Sequence, residues 1–305
     1  MSQYPKAMTA LSFTLPSFAK INLYLEVLGR RADGYHDIST IFQTVSLCDE
    51  ISFTISPDLR LSCDDAAIPA GEENLIIRAA RQLQAASGYS AGAQIHLTKR
   101  IPSPGGLGGG SSNAAIALLG LNRLWNLNAS RDELYGIAAE IGSDVPFFLY
   151  GGTAYGMGRG EKLNQINDFS AKFMVIVTPK ISVSTAWAYD SLEAERLTSG
   201  GLIRNLSVCR FASGVALFTQ SMMRNDFESL IYSRFPEIER IKVRLESLGA
   251  SAMLSGSGAS VFGIFENEET RQTALKALGD QADWRSFAVA TISRSEYREA
   301  LEQVF

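Results

Sequence analysis

The chain has 305 residues, of which 46% are hydrophobic and 20% are charged, and its 28 Lys and Arg against 32 Asp and Glu give a formal net charge of −4. This composition is that of an ordinary globular protein, and a chain of this length forms one or two domains. A mildly acidic chain without blocks of Lys and Arg is not expected to bind nucleic acid, which requires clustered positive charge.

Cysteine usage and hydropathy indicate a cytoplasmic protein. Cys48, Cys63 and Cys209 are far apart and form no CxxC pair, which disfavours a disulfide framework or a zinc site and favours reduced thiols. No apolar stretch approaches the roughly 18 residues of a membrane span. Polar residues and a proline interrupt the weakly charged stretch Ala7–Ala19, so we do not expect a signal peptide.

The first half of the chain begins with strand patterns. Apolar residues alternate over Ala19–Val27 and predict a half-buried strand, with Lys20 and Asn22 on its polar face. Asp33-Gly34 predicts a turn at which the chain doubles back. The next predicted elements are a helix over Leu75–Ala86 behind Asn74 as N-cap, strands near Ile51–Ile55 and Ile95–Leu97, and helices from Ser111 onward.

The second half has the order β-α-α-β-β-α-β, which is typical of a ferredoxin-like α+β sandwich. Pro236 opens its clearest helix. The other predicted elements are strands at Phe173–Thr178, Ser251–Leu254, Val261–Phe265 and Phe287–Ile292, and a helix at Glu268–Leu278. We therefore predict an α+β protein with two domains, residues 1–170 and 171–305, although no linker marks the boundary.

The strongest chemical signal is the glycine-rich segment Ile101–Asn113, which has five glycines in six positions. Backbone N–H groups without Cβ neighbours can converge on phosphate oxygens, and a following helix points its positive end at the same anion. The segment contains no Gly-Lys-Ser/Thr, GxGxxG or GxSxG pattern. A flexible surface loop is the alternative, but the helix-forming residues Ala114–Leu119 disfavour it.

Asp144, within Gly142–Phe148, is a second candidate with two interpretations. Either Ser143 or Asp144 can cap a helix that begins near Pro146, or Asp144 can serve as a general base held at the start of that helix. Lys20 is ambiguous in the same way. A lysine on a strand is ordinarily exposed, whereas an ammonium that shares a cleft with an aspartate can act on the same hydroxyl group.

Three further features are candidate parts of a site: Tyr35 and His36, His96, and the segment Leu254–Ser260. Tyr35 and His36 either cover the strand ends or stack on a nucleobase and bond to its edge. His96, the other histidine, is expected to be structural, and two separated histidines make no metal cluster. Leu254–Ser260 holds two glycines and three serines. It is either a hairpin turn or a turn that approaches an anion.

Together these segments resemble the GHMP kinase superfamily. Pro102–Ser112 is similar to its phosphate-binding motif, and Leu254–Ser260 is similar to its C-terminal glycine-rich motif. Within the superfamily, Ala19–Leu23, Arg31–His36 and Gly142–Phe148 resemble the members that transfer the γ-phosphoryl group of ATP to the 2-hydroxyl of 4-diphosphocytidyl-2-C-methyl-D-erythritol, on the non-mevalonate route to isopentenyl diphosphate. The resemblance implies a two-lobed fold, with an N-terminal lobe like domain 2 of ribosomal protein S5 and a ferredoxin-like C-terminal lobe.

The resemblance also implies roles for individual residues. Asp144 would be the general base, and Lys20 would orient it and stabilise charge. Backbone amides of Gly105–Gly110 and the hydroxyls of Ser111 and Ser112 would hold the ATP phosphates and Mg²⁺. The full set of ATP-binding residues would be Pro102, Ser103, Pro104, Gly105, Gly106, Leu107, Gly108, Gly109, Gly110, Ser111 and Ser112. The alcohol substrate would be bound by Asn22, Tyr35, His36, Thr185 and Tyr189, with Tyr35 and His36 on the cytosine.

One departure and two alternatives accompany these expectations. Pro104 stands where the superfamily usually has a small residue, and because proline has no N–H, one phosphate donor is expected to be missing. The chain could instead be a sister kinase acting on mevalonate, phosphomevalonate or homoserine, or a nucleotide-binding protein without activity. The expected partners are the small molecules ATP and the cytidyl alcohol, and the sequence does not distinguish a monomer from a weak homodimer. Residues 191–214 match no motif.

Overall fold

The computed structural model of the protein describes residues 12–192, 218–302 and 304. Cys209, residues 7–11 of the stretch 7–19 and residues 193–214 of the stretch 191–214 therefore lie outside the described residues. The strands are β1 (Ser12–Arg30), β2 (His36–Ser56), β3 (Arg60–Cys63), β4 (Gly92–Thr98), β5 (Thr153–Met157), β6 (Lys162–Gln165), β7 (Met174–Pro179), β8 (Arg224–Asn225), β9 (Ser251–Leu254), β10 (Val261–Ile264) and β11 (Trp284–Val289).

The helices are α1 (Leu75–Ser87), α2 (Gly109–Leu124), α3 (Arg131–Ile141), α4 (Thr185–Asp190), α5 (Glu228–Arg234), α6 (Pro236–Ser247), α7 (Glu268–Gly279) and α8 (Arg294–Ala300), with 3₁₀ turns at Val145–Leu149 and Gln220–Met222. The predicted N-cap of α1 is confirmed, since the Asn74 side chain accepts a hydrogen bond from the Ile76 N–H. No helix formed by the described residues has the length and apolar character needed to cross a membrane.

The first sheet is built around a long antiparallel hairpin of β1 and β2. The strand order is β3-β4-β2-β1-β8, with β5 beside β2 and β6 beside β5. The predicted turn is confirmed, because Arg30 pairs with His36 at the end of the hairpin and Gly34 has a φ of +86°. The expectation of helices alone after Ser111 is wrong, because β5 and β6 follow α3 and extend this sheet.

Strand β1 is buried on both faces, so the prediction of a half-buried strand is wrong. Ile21 and Leu23 pack in a core cluster between the two sheets, together with Ile176 and Phe262 of the second sheet. The intervening Lys20 is only 4% exposed. A second layer therefore covers each side of the strand, which alternation along one segment does not reveal.

The second sheet has the strand order β11-β7-β10-β9, and all its pairs are antiparallel. Numbered along the chain, its four strands lie in the order 4-1-3-2, which is the ferredoxin-like arrangement, so the predicted sandwich is confirmed. Strand β11 begins and ends three residues earlier than predicted. The following residues leave this sheet to bond with β2, where Ser46 N–H donates to Ala290 O and Ile292 N–H to Thr44 O.

Two segments beyond residue 170 complete the first lobe. Strand β8 pairs in parallel with β1 through Tyr24–Arg224 and Leu25–Asn225. From the C-terminal region, Tyr297 and Leu301 join the helical core of the first lobe. The domain boundary between residues 170 and 171 stays a prediction. A division there would assign β8 and the C-terminal residues to the second domain, although they complete the sheet and the core of the first.

Helix α2 lies so close to the first sheet that Gly120 has no room for a side chain. A Cβ atom at Gly120 would lie 2.5 Å from the Phe53 ring. Gly120→Ala is therefore expected to lower the free energy of unfolding by about 1–3 kcal/mol through overpacking, measured by urea denaturation. Gly136→Ala in α3, where a Cβ would meet nothing within 4 Å, should instead raise it by about 0.5–1 kcal/mol. Effects of the same sign would contradict the packing argument.

Candidate active site

The predicted site residues converge on one cleft between the two lobes. The cleft has a volume of about 640 Å³ and is lined by every predicted site residue except Ser112. Its walls are the glycine-rich segment, the polar residues of β1, the β1–β2 turn, the start of the Val145–Leu149 turn, helix α4 and the second glycine-rich turn. Segments that are far apart in sequence thus form a single site.

The glycine-rich segment requires glycine at two positions for packing. Gly106 and Gly108 have φ values of +71° and +69°. A Cβ at Gly106 would lie 2.2 Å from the Ser255 carbonyl oxygen, and a Cβ at Gly108 would lie 2.9 Å from both Lys20 Cγ and Phe148 Cζ. Gly108 is also the N-cap residue of α2, so this close approach places the amino end of the helix beside Lys20.

The second glycine-rich turn, Leu254–Ser260, holds the first one in place. Ser255 Oγ donates to Gly106 O at 3.0 Å, and Ser260 N–H donates to Gly105 O at 3.2 Å. The turn therefore does more than connect β9 and β10. It fixes the phosphate-binding candidate from the other lobe.

Buried Asp49 closes the base of the glycine-rich segment, a role that the sequence analysis missed. Its Oδ1 accepts from the N–H groups of Arg100 and Ile101 at 2.7 and 2.8 Å. Its Oδ2 accepts from Lys99 Nζ and Asn113 Nδ2, each at 3.0 Å. One carboxylate thus joins the start of the segment to Asn113 on α2, although nothing in the local pattern around Asp49 signals this.

Ser112 differs from the prediction, whereas Ser111 and Pro104 line the cleft. Ser112 is fully buried, and its Oγ accepts a hydrogen bond from Ser17 Oγ at 2.8 Å. Ser17 Oγ accepts in turn from Asn113 Nδ2 at 2.9 Å. The Ser112 hydroxyl therefore belongs to the packing beneath the segment, and Ser111 presents the hydroxyl at the cleft.

Lys20 and Asp144 form an ion pair in the cleft. Lys20 Nζ lies 3.4 Å from Asp144 Oδ2, with side chains that are 5% and 32% exposed. The Phe42 ring lies 5.5 Å from the ammonium. Asp144 begins the 3₁₀ turn Val145–Leu149, but its carboxylate makes no capping hydrogen bond. Asp144 thus occupies the N-cap position of the turn, but its carboxylate pairs with the lysine and does not cap the turn.

A chain of hydrogen bonds sets the orientation of Asn22. The Thr40 hydroxyl donates to Tyr24 O at 2.7 Å, so its oxygen accepts from Asn22 Nδ2, also at 2.7 Å. The amide oxygen of Asn22 then faces Lys20 and accepts from its Nζ at 2.6 Å. The Lys20 ammonium therefore donates one hydrogen bond to Asn22 and is paired by charge with Asp144, and it lines the cleft in which a ligand would bind.

Aromatic side chains line the far end of the cleft. Tyr35 is 55% exposed at the rim, and Arg159 lies over its ring at 4.8 Å. His36 is buried against Tyr189, with ring centroids 5.2 Å apart. Burial lowers the pKa of His36, and the positive charge of Arg30 lowers it further. The imidazole is therefore neutral near pH 7 and offers one donor and one acceptor.

Other residues of this end lie on α4 and on the β5–β6 turn. Thr185 Oγ1 and Ser257 Oγ share a hydrogen bond of 3.0 Å, which joins α4 to the second glycine-rich turn. Burial raises the pKa of Tyr189, and the charge of Asp144 adds to this. The sequence analysis missed Arg159, although its position between Gly158 and Gly160 was a signal for a turn that presents a basic side chain.

Two family models match the chain: "GHMP kinases N terminal domain" over residues 74–152 and "GHMP kinases C terminal" over residues 210–283. The 4-diphosphocytidyl-2-C-methyl-D-erythritol kinase of Geobacter metallireducens is 44% identical over 284 residues, which is 92% of this chain and 99% of the relative. The enzyme of the same name from Syntrophotalea carbinolica is 42% identical over 285 residues, again 92% and 99%.

Solved structures agree with these matches. A crystal structure of 4-(cytidine 5'-diphospho)-2C-methyl-D-erythritol kinase superposes with a TM-score of 0.74 at 33% identity, over 92% of this chain and 99% of that one. A homoserine kinase from Cytophaga hutchinsonii has a TM-score of 0.72 at 20% identity, over 97% and 99%, which shows a shared fold. The predicted resemblance and two-lobed fold are confirmed, and the chain belongs to the 4-diphosphocytidyl-2-C-methyl-D-erythritol kinase family of the GHMP kinases.

Proposed function

We propose that the protein transfers the γ-phosphoryl group of ATP to the 2-hydroxyl of 4-diphosphocytidyl-2-C-methyl-D-erythritol, a step of the non-mevalonate route to isopentenyl diphosphate. The observation that carries this proposal is the Lys20–Asp144 pair, 3.4 Å apart, in the same cleft as the glycine-rich segment. Family membership supports the choice of substrate. The reduced thiols expected from the sequence support a cytoplasmic location.

The chemistry requires that one hydroxyl lose its proton while the phosphoryl group moves toward it. Asp144 accepts this proton as general base. Lys20 holds the carboxylate in place and stabilises the charge that develops between the reacting oxygens. Asn22 fixes Lys20 through its amide oxygen, so the pair is already arranged before either substrate binds.

The phosphates of ATP bind to the backbone amides of Gly105–Gly110 and to the amino end of α2. Ser111 supplies a hydroxyl at the cleft, whereas Pro104 supplies no N–H. The donor set also fits Mg²⁺, which binds through one or two carboxylates, phosphate oxygens and water. The cleft offers the carboxylates of Asp144 and Asp190, and Mg²⁺, when bound, neutralises phosphate charge.

The cytidine end of the substrate binds at the aromatic end of the cleft. Tyr35 stacks on the cytosine, while the neutral His36 ring, held against Tyr189, bonds to the edge of the base. Arg159 brings a positive charge to the same rim. A kinase for mevalonate or homoserine has no use for a base-stacking site, so this end of the cleft favours the cytidyl substrate.

The direct test is ADP release by the purified protein with four alcohols in turn: 4-diphosphocytidyl-2-C-methyl-D-erythritol, mevalonate, phosphomevalonate and homoserine. We expect turnover with the cytidyl compound, with mass spectrometry showing one added phosphoryl group. Turnover with another alcohol and none with the cytidyl compound would overturn the proposal. Binding of ATP without turnover on any of the four would favour a nucleotide-binding protein.

Asp144→Asn removes the proposed base but keeps the size of the side chain. We expect kcat to fall by about 10²–10⁴-fold, while ATP still binds, as measured by ADP release and by titration with a non-hydrolysable ATP analogue. Asp280→Asn makes the same change on an exposed residue at the end of α7 and should leave kcat unchanged. Near-normal turnover by Asp144→Asn would remove Asp144 from the mechanism.

Tyr35→Ala tests the stacking role. Loss of one aromatic platform is expected to raise KM for the cytidyl substrate by about 10-fold or more, with KM for ATP nearly unchanged, because Tyr35 lies at the rim beside Arg159. The measurement is steady-state kinetics with each substrate varied in turn. Equal effects on the two KM values, or no effect, would contradict stacking on the cytosine.

Gly108→Ala tests the close approach of the glycine-rich segment to the catalytic pair. The new Cβ forces a strained backbone and displaces Lys20, since it would lie 2.9 Å from Lys20 Cγ. We expect kcat to fall by more than about 10-fold. Gly136→Ala in α3 is the control, because its Cβ would meet nothing within 4 Å and the residue does not line the cleft, so kcat should stay nearly unchanged. Equal losses in kcat would contradict the argument.

A further inference from the structure

Tyr297, on the C-terminal helix α8, has two contacts inside the first lobe that the mechanism above does not use. Its side chain is completely buried. Its hydroxyl donates a hydrogen bond of 2.6 Å to the carbonyl oxygen of Phe148. Its ring packs against the ring of Phe18, with 5.6 Å between the centroids.

These two contacts lie on the two elements that carry the catalytic pair. Phe18 is on β1, two residues before Lys20, and Phe148 is in the 3₁₀ turn Val145–Leu149, four residues after Asp144. A single side chain from α8 therefore touches both the strand with the ammonium and the turn with the carboxylate. Tyr297 does not itself line the cleft, so it can act only through these elements.

The end of the 3₁₀ turn is shaped to receive the Tyr297 ring. Gly151 has a φ of +64°, and a Cβ there would lie 2.3 Å from Tyr297 Cγ. On its other side, the turn packs against the glycine-rich segment, because a Cβ at Gly108 would lie 2.9 Å from Phe148 Cζ. The turn is thus held between Tyr297 on one side and the glycine-rich segment on the other.

Helix α8 is itself firmly attached to the first lobe, which makes it a rigid support. Ser293 and Glu296 form a capping box at its start. Arg294 N–H donates to Asp168 Oδ2 at 2.9 Å, and Arg294 Nη2 donates to Thr153 O at 2.7 Å. The Tyr297 hydroxyl is therefore fixed relative to the sheet and not only relative to its own helix.

We propose that Tyr297 is a positioning residue, which sets the distance between the Lys20 ammonium and the Asp144 carboxylate by bracing β1 and the 3₁₀ turn together. This inference rests on the proposed function, in which Asp144 is the base. Burial raises the pKa of the phenol, so its hydroxyl stays protonated and donates to Phe148 O throughout the working pH range.

Tyr297→Phe removes the hydroxyl and keeps the ring, so it should fold. We expect kcat with the cytidyl substrate to fall by about 3- to 10-fold, the effect of one neutral hydrogen bond, with KM for ATP unchanged within about 2-fold. Tyr232→Phe is the control, because the Tyr232 hydroxyl also donates a hydrogen bond, to Glu228 Oε1 at 2.7 Å, and neither residue lines the cleft. Both variants are assayed well below their melting temperatures, and Tyr232→Phe should keep its kcat.

A double-mutant cycle with Asp144→Asn separates positioning from general damage. If Tyr297 acts by placing the base, Tyr297→Phe should have no further effect on kcat once Asp144→Asn is present. The same fold-loss in both backgrounds, or no loss in either, would overturn the positioning role. If Asp144→Asn alone leaves kcat unchanged, both the proposed base and the positioning role are wrong. If Asp144→Asn lowers kcat but Tyr297→Phe does not, only the positioning role is wrong.

Discussion

The structure of the cleft depends on keeping one ammonium out of water. Lys20 is 4% exposed, and burial of an unpaired ammonium costs several kcal/mol. The cost is offset by Asn22, by Asp144 and by the face of the Phe42 ring. Each of these comes from a different place: the same strand, a turn far along the chain, and the neighbouring strand. Pairing Lys20 therefore requires β1, β2 and the turn that begins at Asp144 to pack together.

The first lobe is completed by two segments from the second half of the chain, β8 and α8. Asn225 on β8 joins the first sheet and donates to the carbonyls of Leu254 and Gly256 at 2.9 and 2.8 Å. It thereby ties β1 to the second glycine-rich turn, which in turn holds Gly105 and Gly106. The phosphate-binding candidate and the Lys20–Asp144 pair are thus connected by a continuous set of short contacts.

How far the sequence predicts this arrangement depends on the range of the interactions. The Asn74 cap and the helix at Pro236 were predictable because they depend on neighbouring residues only. The glycine-rich segment was predictable because all its glycines lie in one short stretch of sequence. The burial of Lys20 and the role of Asp49 were not, since both depend on partners far away along the chain. Ser112 shows the same limit: the motif marks two serines, but only the packing decides which hydroxyl faces the cleft.

The placement of helix α8 has a consequence for how the protein matures. Chains are synthesised from the amino end, and domains tend to fold as they emerge. The first lobe, however, receives Tyr297 and Leu301 in its core only after nearly all of the second lobe has been made. The glycine-rich segment is therefore synthesised well before the residues that complete the core of its own lobe.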